Sequence, residues 1–172
     1  IRFTVSDAAG RMVFESGGLN PDGSIQGNVN DEDKNRFEPH HTLVNSPDQV
    51  QIYEAIMADP EGNVTTGLIE AIRFIKDNRI LPKGFNKASA HEDIKVQGRA
   101  GSDHDFNEPG DTIRYEIEAD ADRGPFKIQA ELLYQPIAFR WAKNLKEQQA
   151  AEIDRFVAYY DSMSAQSWTV LA

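Results

Sequence analysis

The stretch from Thr112 to Tyr134 leaves the backbone less choice than any other part of the chain. In TIRYEIEA, Ile113, Tyr115, Ile117 and Ala119 alternate with Arg114, Glu116 and Glu118, and in FKIQAELLY Phe126, Ile128, Ala130, Leu132 and Tyr134 hold alternate positions. A period of two sorts side chains onto the two faces of a strand, with one face toward a core and one toward water. The five residues DADRG between the runs have the length of a hairpin loop, so the runs are expected to pair with each other.

The rest of the chain fits a mainly β reading. IRFTV and RMVFES flank the turn SDAAG and make a first hairpin, and QVQIYEAIMA reads as a strand apolar on both faces. The run VTTGLIEAIRFIKDNRILP carries Leu68, Ala71, Ile72 and Ile75 at helical spacing, yet its β-branched and aromatic residues and the hairpin-length DPEGN before it favour a strand over residues 65–76. Gly17 to Asp48 is rich in Gly, Pro, Asp, Asn and Ser and reads as one long loop, a kind that often carries function. Between residues 137 and 161 the period changes: Ala142, Leu145, Ile153, Phe156, Val157 and Tyr160 share a helical stripe, in one helix or two short ones. SWTVL then reads as a closing strand. The expected fold is an antiparallel β-sandwich, jelly-roll-like, with a C-terminal helical segment, in one domain over residues 1–172. The start at Ile1, with neither Met nor a leader, suggests a piece of a longer chain.

With 18 basic against 28 acidic residues the chain carries a formal charge of −10, which argues against nucleic acid or an anionic membrane as partner. No apolar run is long enough for a membrane span. The absence of cysteine removes thiol catalysis, disulfides, cysteine-held zinc and covalent haem attachment within this segment.

The densest candidate site is NDEDKNRFEPHH, residues 30–41, with four acids, two asparagines and two histidines in twelve positions. Asn28, Asn30, Asp31, Asp33, Asn35 and Glu38 supply oxygens in the number and kind that calcium takes. The match to an EF-hand fails, because Arg36 stands where glycine makes the sharp turn and Thr42 where a bidentate Glu closes the cage. The same side chains are also those that cap turns, and that reading is the stronger one. His40 and His41 are neighbours whose rings point apart on an extended chain, which disfavours a shared metal. In SDHDF, Asp103 and Asp105 flank His104 as carboxylates that would orient an imidazole, His91 lies in another polar loop, and both histidines read chiefly as surface residues. Asp77, Asn78 and Arg79 form a polar cluster suited to a structural Arg–carboxylate fork. Trp141, Tyr159, Tyr160 and Trp168 are the aromatics a sugar platform would use, although three of them fall in the helical pattern and read as packing. No nucleophile elbow, HExxH or phosphate-cradling glycine loop is present.

VFESGGLNPDGSIQGN, the long stretch EPHHTLVNSPDQVQIYEAIMADPEGNVTTGLIEAIRFIKDNRILPKGF and AELLYQPIAFRWAKNL together resemble the region that follows the haem-binding part of large extracytoplasmic multihaem c-type cytochromes of bacteria. QVQIYE and KDNRILPKGF carry most of the likeness. The resemblance implies a periplasmic or extracellular setting and a non-catalytic domain attached to an electron-transfer module. Its partner would be the haem-binding part of the same parent chain or another redox protein, with His40 or His41 as a remote option for an axial haem ligand. The haem sites of such proteins are CxxCH motifs, which this chain lacks, so no haem is expected in the segment itself. Two other readings stay open: a carbohydrate-binding or adhesive β-sandwich module, and a hydrolase using a carboxylate pair.

Overall fold

The computed structural model describes residues 1–172. Ten strands, β1 (Arg2–Ser6), β2 (Met12–Ser16), β3 (Leu43–Val44), β4 (Ala55–Ala58), β5 (Val64–Thr65), β6 (Arg73–Asp77), β7 (Arg114–Tyr115), β8 (Lys127–Glu131), β9 (Leu133–Tyr134) and β10 (Thr169–Val170), accompany three helices, α1 (Val29–Glu32), α2 (Phe139–Leu145) and α3 (Ala151–Met163). The strands form four small sheets, β2-β1-β8, β5-β4-β6, β9-β10 and β3-β7. All pairings are antiparallel except that of β3 with β7. The chain is thus a β-rich fold with a C-terminal helical segment. No helix is long and apolar enough to cross a membrane.

The first hairpin forms as its sequence indicates, and a buried carboxylate holds it. Asp7 accepts hydrogen bonds from the main-chain N–H groups of Ala9 and Arg11, while Gly10 takes the positive φ of 76° that the turn requires. Two guanidinium groups, from Arg11 and Arg123, converge on Asp7 Oδ2 at 2.9 and 2.7 Å. The Arg123 hydrogen bond is the main reason that the Asp7 carboxyl lies far below the ordinary carboxylate range.

That clamp also explains why the hairpin expected between residues 112–119 and 126–134 does not form. Arg123 sits in the connection between the two runs and pins it to the β1–β2 turn, where Ala8 N–H also donates to the Arg123 carbonyl. β8 is thereby delivered to the open edge of β1, pairing from Arg2↔Glu131 to Ser6↔Lys127, and β7 pairs instead with β3. The alternation still sorts the first run: Ile113, Tyr115 and Ile117 turn inward onto the Val5, Phe14 and Val44 cluster, where Tyr115 stacks on Phe3 with ring centroids 3.8 Å apart. The second run is sorted less well, since Ile128 and Tyr134 face solvent.

The long run at 64–77 is strand at its ends, β5 and β6, which flank β4. Between them, Glu70 and Ala71 N–H groups donate to the Gly67 carbonyl in a tight turn, so residues 65–76 hold neither a helix nor one continuous strand. QVQIYEAIMA is likewise strand only from Ala55, because side chains take over the main-chain groups before it: Asn78 Oδ1 accepts from Glu54 N–H, and the Ile52 carbonyl accepts from Lys76 Nζ and Asn78 Nδ2. The stretch at 17–48 is mostly irregular but includes α1 and β3. In α3, Ile153, Phe156, Val157 and Tyr160 form the half-buried stripe, and the closing strand β10 pairs with β9.

The interior is as polar as it is apolar: 13 buried residues are polar or charged against 11 hydrophobic ones. Apolar packing is confined to small clusters, one under β1 and β2 and one built from Leu81, Val96, Ala100 and Phe106. Burying a polar group is costly unless it is paired, so the hydrogen-bond network carries much of the fold's specificity.

Candidate functional site: a buried histidine between two carboxylates

His40 lies in the extended segment after the acidic loop, and three other parts of the chain close around its ring. From residues 50–54 come Gln51 and Tyr53, from the end of β6 comes Asn78, and from the loop after the 3₁₀ turn Gly98–Gly101 come Asp103, Phe106 and Asp111. Phe106 packs against the imidazole with centroids 5.0 Å apart.

The amides set the tautomer. Gln51 Oε1 accepts from the His41 main-chain N–H at 2.8 Å, which turns its Nε2 toward His40 Nδ1 at 3.0 Å. Asn78 Oδ1 accepts from Glu54 N–H, which turns its Nδ2 toward the same Nδ1, also at 3.0 Å. Two N–H donors on Nδ1 assign the ring hydrogen to Nε2. Nε2–H donates to Asp103 Oδ2 at 3.0 Å, with Asp111 Oδ2 at 3.7 Å.

Asp111 Oδ2 also accepts from the Tyr53 hydroxyl at 2.7 Å, and burial, followed by this carboxylate, pushes the Tyr53 pKa upward. The other oxygen, Asp111 Oδ1, is buried without a partner. The ligand atoms of His40, Asp103 and Asp111 lie within 4.8 Å of one another, the only grouping of three His or acidic residues in the fold that does so. Alongside runs an open polar groove of 810 Å³ whose walls include His41, Arg99, His104 and Arg114.

The six residues read from sequence as a cation loop are each placed on a local partner. Asn28 Oδ1 caps α1 by accepting from Asn30 N–H, Asp31 Oδ2 accepts from Ile25 N–H at 2.8 Å, and Asp33 Oδ1 accepts from Asn35 N–H at 2.9 Å. Glu38 Oε2 meets His41 Nε2 at 2.9 Å and its Oε1 faces Val29 N–H, while Asn30 donates to the Arg36 carbonyl. Asn30 Oδ1 is left buried and unpaired. The three carboxylates are not gathered at one point, and the Lys143 ammonium reaches in to the Asp31 carbonyl at 2.8 Å. Burial raises the Asp31 pKa to about 6.

His40 and His41 do point apart, one to Asp103 and the other to Glu38. With both ring nitrogens engaged inside the fold, His40 is not free to ligate a neighbouring domain's haem. Asp103 orients His40 rather than His104, and His91 is an exposed partner of Asp93. Arg79 forks onto Asp77 at 2.9 and 2.6 Å, the structural pairing expected of that cluster. Trp168 and Tyr134 line an apolar cavity of 310 Å³, Trp141 and Tyr160 are half-buried in the helical segment, and Tyr159 is exposed.

Sequence reasoning missed Gln51, Tyr53, Asn78, Phe106 and Asp111 as companions of His40. A usable signal was present in DHDFNEPGD, where Asp103, Asp105 and Asn107 alternate and Asp111 follows. No protein-family model, curated protein or solved structure matches the chain.

Proposed function

We propose that this chain is a non-catalytic, β-sandwich-type accessory domain of a periplasmic or extracellular multihaem cytochrome-like electron-transfer protein, and that it docks on the haem-bearing part of its parent chain. The observation that supports docking is the turn between β5 and β6, where Leu68, Ile69 and Ile72 are 72, 100 and 61% exposed. Leu68 and Ile72 border a cleft of 370 Å³ that continues over Met57 and Phe74. Large apolar side chains grouped on one turn have no role in solvent and suit a protein partner. The interior of the fold supports the absence of turnover, since His40 spends both ring nitrogens on fixed partners and its Nε2–H faces carboxylates rather than a nucleophile.

The test is made on the full-length native polypeptide: its mass and its pyridine haemochrome spectrum. A c-type spectrum with several haems per chain is the expected result. Absence of haem would overturn the reading and send the chain to glycan binding as the next assay.

A further inference from the structure

The geometry points to a binding site for one hard divalent cation of the calcium type, held by carboxylates of the loop Asp103–Asp111, with His40 as a positioning donor and not as a ligand. This inference is independent of the docking reading above.

Three observations carry it. The first is the concentration of negative charge. The side chains of Asp103 and Asp111 are 7 and 4% exposed, and both meet the single Nε2–H of His40, itself 1% exposed. Asp105 stands beside them, its exposed carboxyl in contact with that of Asp103. Neither buried carboxylate forms an ion pair with Lys or Arg, because Lys87 spends its ammonium on the main-chain carbonyls of Ala100 and Asp103 and Arg114 pairs with Glu116. Buried like charges without a counter-ion are costly, and a cation relieves all of them at once.

The second is Asp111 Oδ1, buried beside the pair with no donor. Its sister oxygen is already held by Tyr53, so the carboxylate is oriented with one oxygen vacant. The third is the spacing. Counting from Asp103, acidic or amide oxygens fall at the first, third, fifth and ninth positions of DHDFNEPGD, which are positions that calcium loops use, with a main-chain carbonyl at the seventh. Glu108 and Arg114 stand where an EF-hand has its glycine and its closing Glu, so the site is a calcium-type loop outside that motif.

The tautomer decides the kind of metal. A zinc or other imidazole-seeking ion needs a lone pair on Nε2 and a hydrogen on Nδ1. Here Nδ1 faces two N–H donors whose orientations are set by the main chain, and Nε2 carries the hydrogen. An oxygen-seeking cation leaves that arrangement intact, with His40 holding Asp103 in place.

The experiment is calorimetric titration of the chelator-treated chain with CaCl2, paired with luminescence of Tb³⁺ sensitised through Tyr53. One saturable calcium per chain, an elevated Tm in calcium and terbium emission are expected. Asp111→Asn and Asp103→Asn should each weaken calcium binding at least about tenfold, with Asp33→Asn in the other acidic loop leaving it unchanged. These variants are near-isosteric, and melting curves in chelator verify that each is folded before titration. His40→Gln should weaken binding by a smaller factor without abolishing it. No binding of calcium or terbium overturns the proposal, as does binding that survives Asp111→Asn and is lost in Asp33→Asn. Zinc binding with proton release in the absence of calcium binding also overturns it, because that result makes His40 a ligand.

Discussion

Two acidic regions of this protein look alike in composition and differ in how their charge is balanced. Around the loop at residues 28–41, the buried carboxylates Asp31 and Glu38 share their surroundings with Glu54 and with cations supplied by the chain itself. Lys76 Nζ meets Glu54 at 3.0 Å, the Arg140 guanidinium lies buried and donates to the Ala55 carbonyl, and Lys143 donates to the Asp31 main-chain carbonyl. Around the loop at 102–111, Asp103 and Asp111 meet no Lys or Arg, and their donors are the His40 Nε2–H, the Tyr53 hydroxyl, the Gln51 amide and the Asp105 main-chain N–H. Density of acids therefore says little about cation binding. What distinguishes a cation site from a solvated or self-satisfied loop is whether the fold has already buried a Lys or Arg in its neighbourhood.

The most disruptive way to break this contrast is to remove a cation from the balanced region. Lys76 is 1% exposed, and burial lowers its pKa despite the attraction of Glu54. Lys76→Met strands the Glu54 carboxylate and takes one donor from the Ile52 carbonyl, and it should cost about 3–5 kcal/mol in chemical denaturation. Lys76→Met combined with Glu54→Gln should recover a large part of that loss. Failure of the double variant to recover would mean that packing of the lysine stem, rather than charge balance, holds the region.

Asp31→Asn probes the same balance from the acidic side and has the opposite sign. With its folded pKa raised to about 6, Asp31 holds a proton in the folded chain between roughly pH 4 and 6 that the unfolded chain has released. Its contribution to stability is therefore present at low pH and lost as pH rises through that window. Asn keeps an acceptor for Ile25 N–H and carries no charge, so the variant should be more stable than the parent by about 2 kcal/mol at pH 7, with the difference vanishing near pH 4. A difference that persists at pH 4 would assign the effect to something other than titration of this carboxyl.

Asp111→Asn makes the matching change in the unbalanced region. In calcium-free buffer it relieves repulsion with Asp103 while preserving an acceptor for Tyr53, and stability should rise by about 1 kcal/mol. In calcium the order should reverse, because the parent gains the ion and the variant does not. A variant less stable than the parent even in chelator would place the needed counter-charge within the chain.

The sequence made some of this visible. Period-two alternation sorted Ile113, Tyr115 and Ile117 onto the correct face, and the change of period after residue 137 marked the helical segment. Strand partners were not legible, because alternation specifies a face and not a neighbour. The long-range contact of Arg123 with Asp7, invisible in the local pattern, ties the connection before β8 to the β1–β2 turn. The candidate site was hidden for a related reason: His40, Gln51, Asn78, Asp103 and Asp111 are separated by up to 71 positions and meet only through the fold. NDEDKNRFEPHH is locally dense in acids but carries Lys34 and Arg36, whereas the sparser DHDFNEPGD has no Lys or Arg of its own.

The smallest expected effect belongs to the exposed pair Lys34–Glu147, which links the first loop to the C-terminal helical segment at 3.0 Å with both side chains 55% exposed. If the balance of that region resides in its buried groups, this surface bridge is nearly irrelevant: water screens the attraction, and ordering two long side chains offsets what remains. Lys34→Ala should change stability by less than about 0.5 kcal/mol, and the small loss should shrink further in 0.5 M salt. Thermal melts of the parent and variant at low and high salt measure both quantities. A loss above about 1 kcal/mol that disappears in salt would show that surface charge also holds the loop in place, and the division between a buried, self-balanced region and an unbalanced one would then have to include its rim.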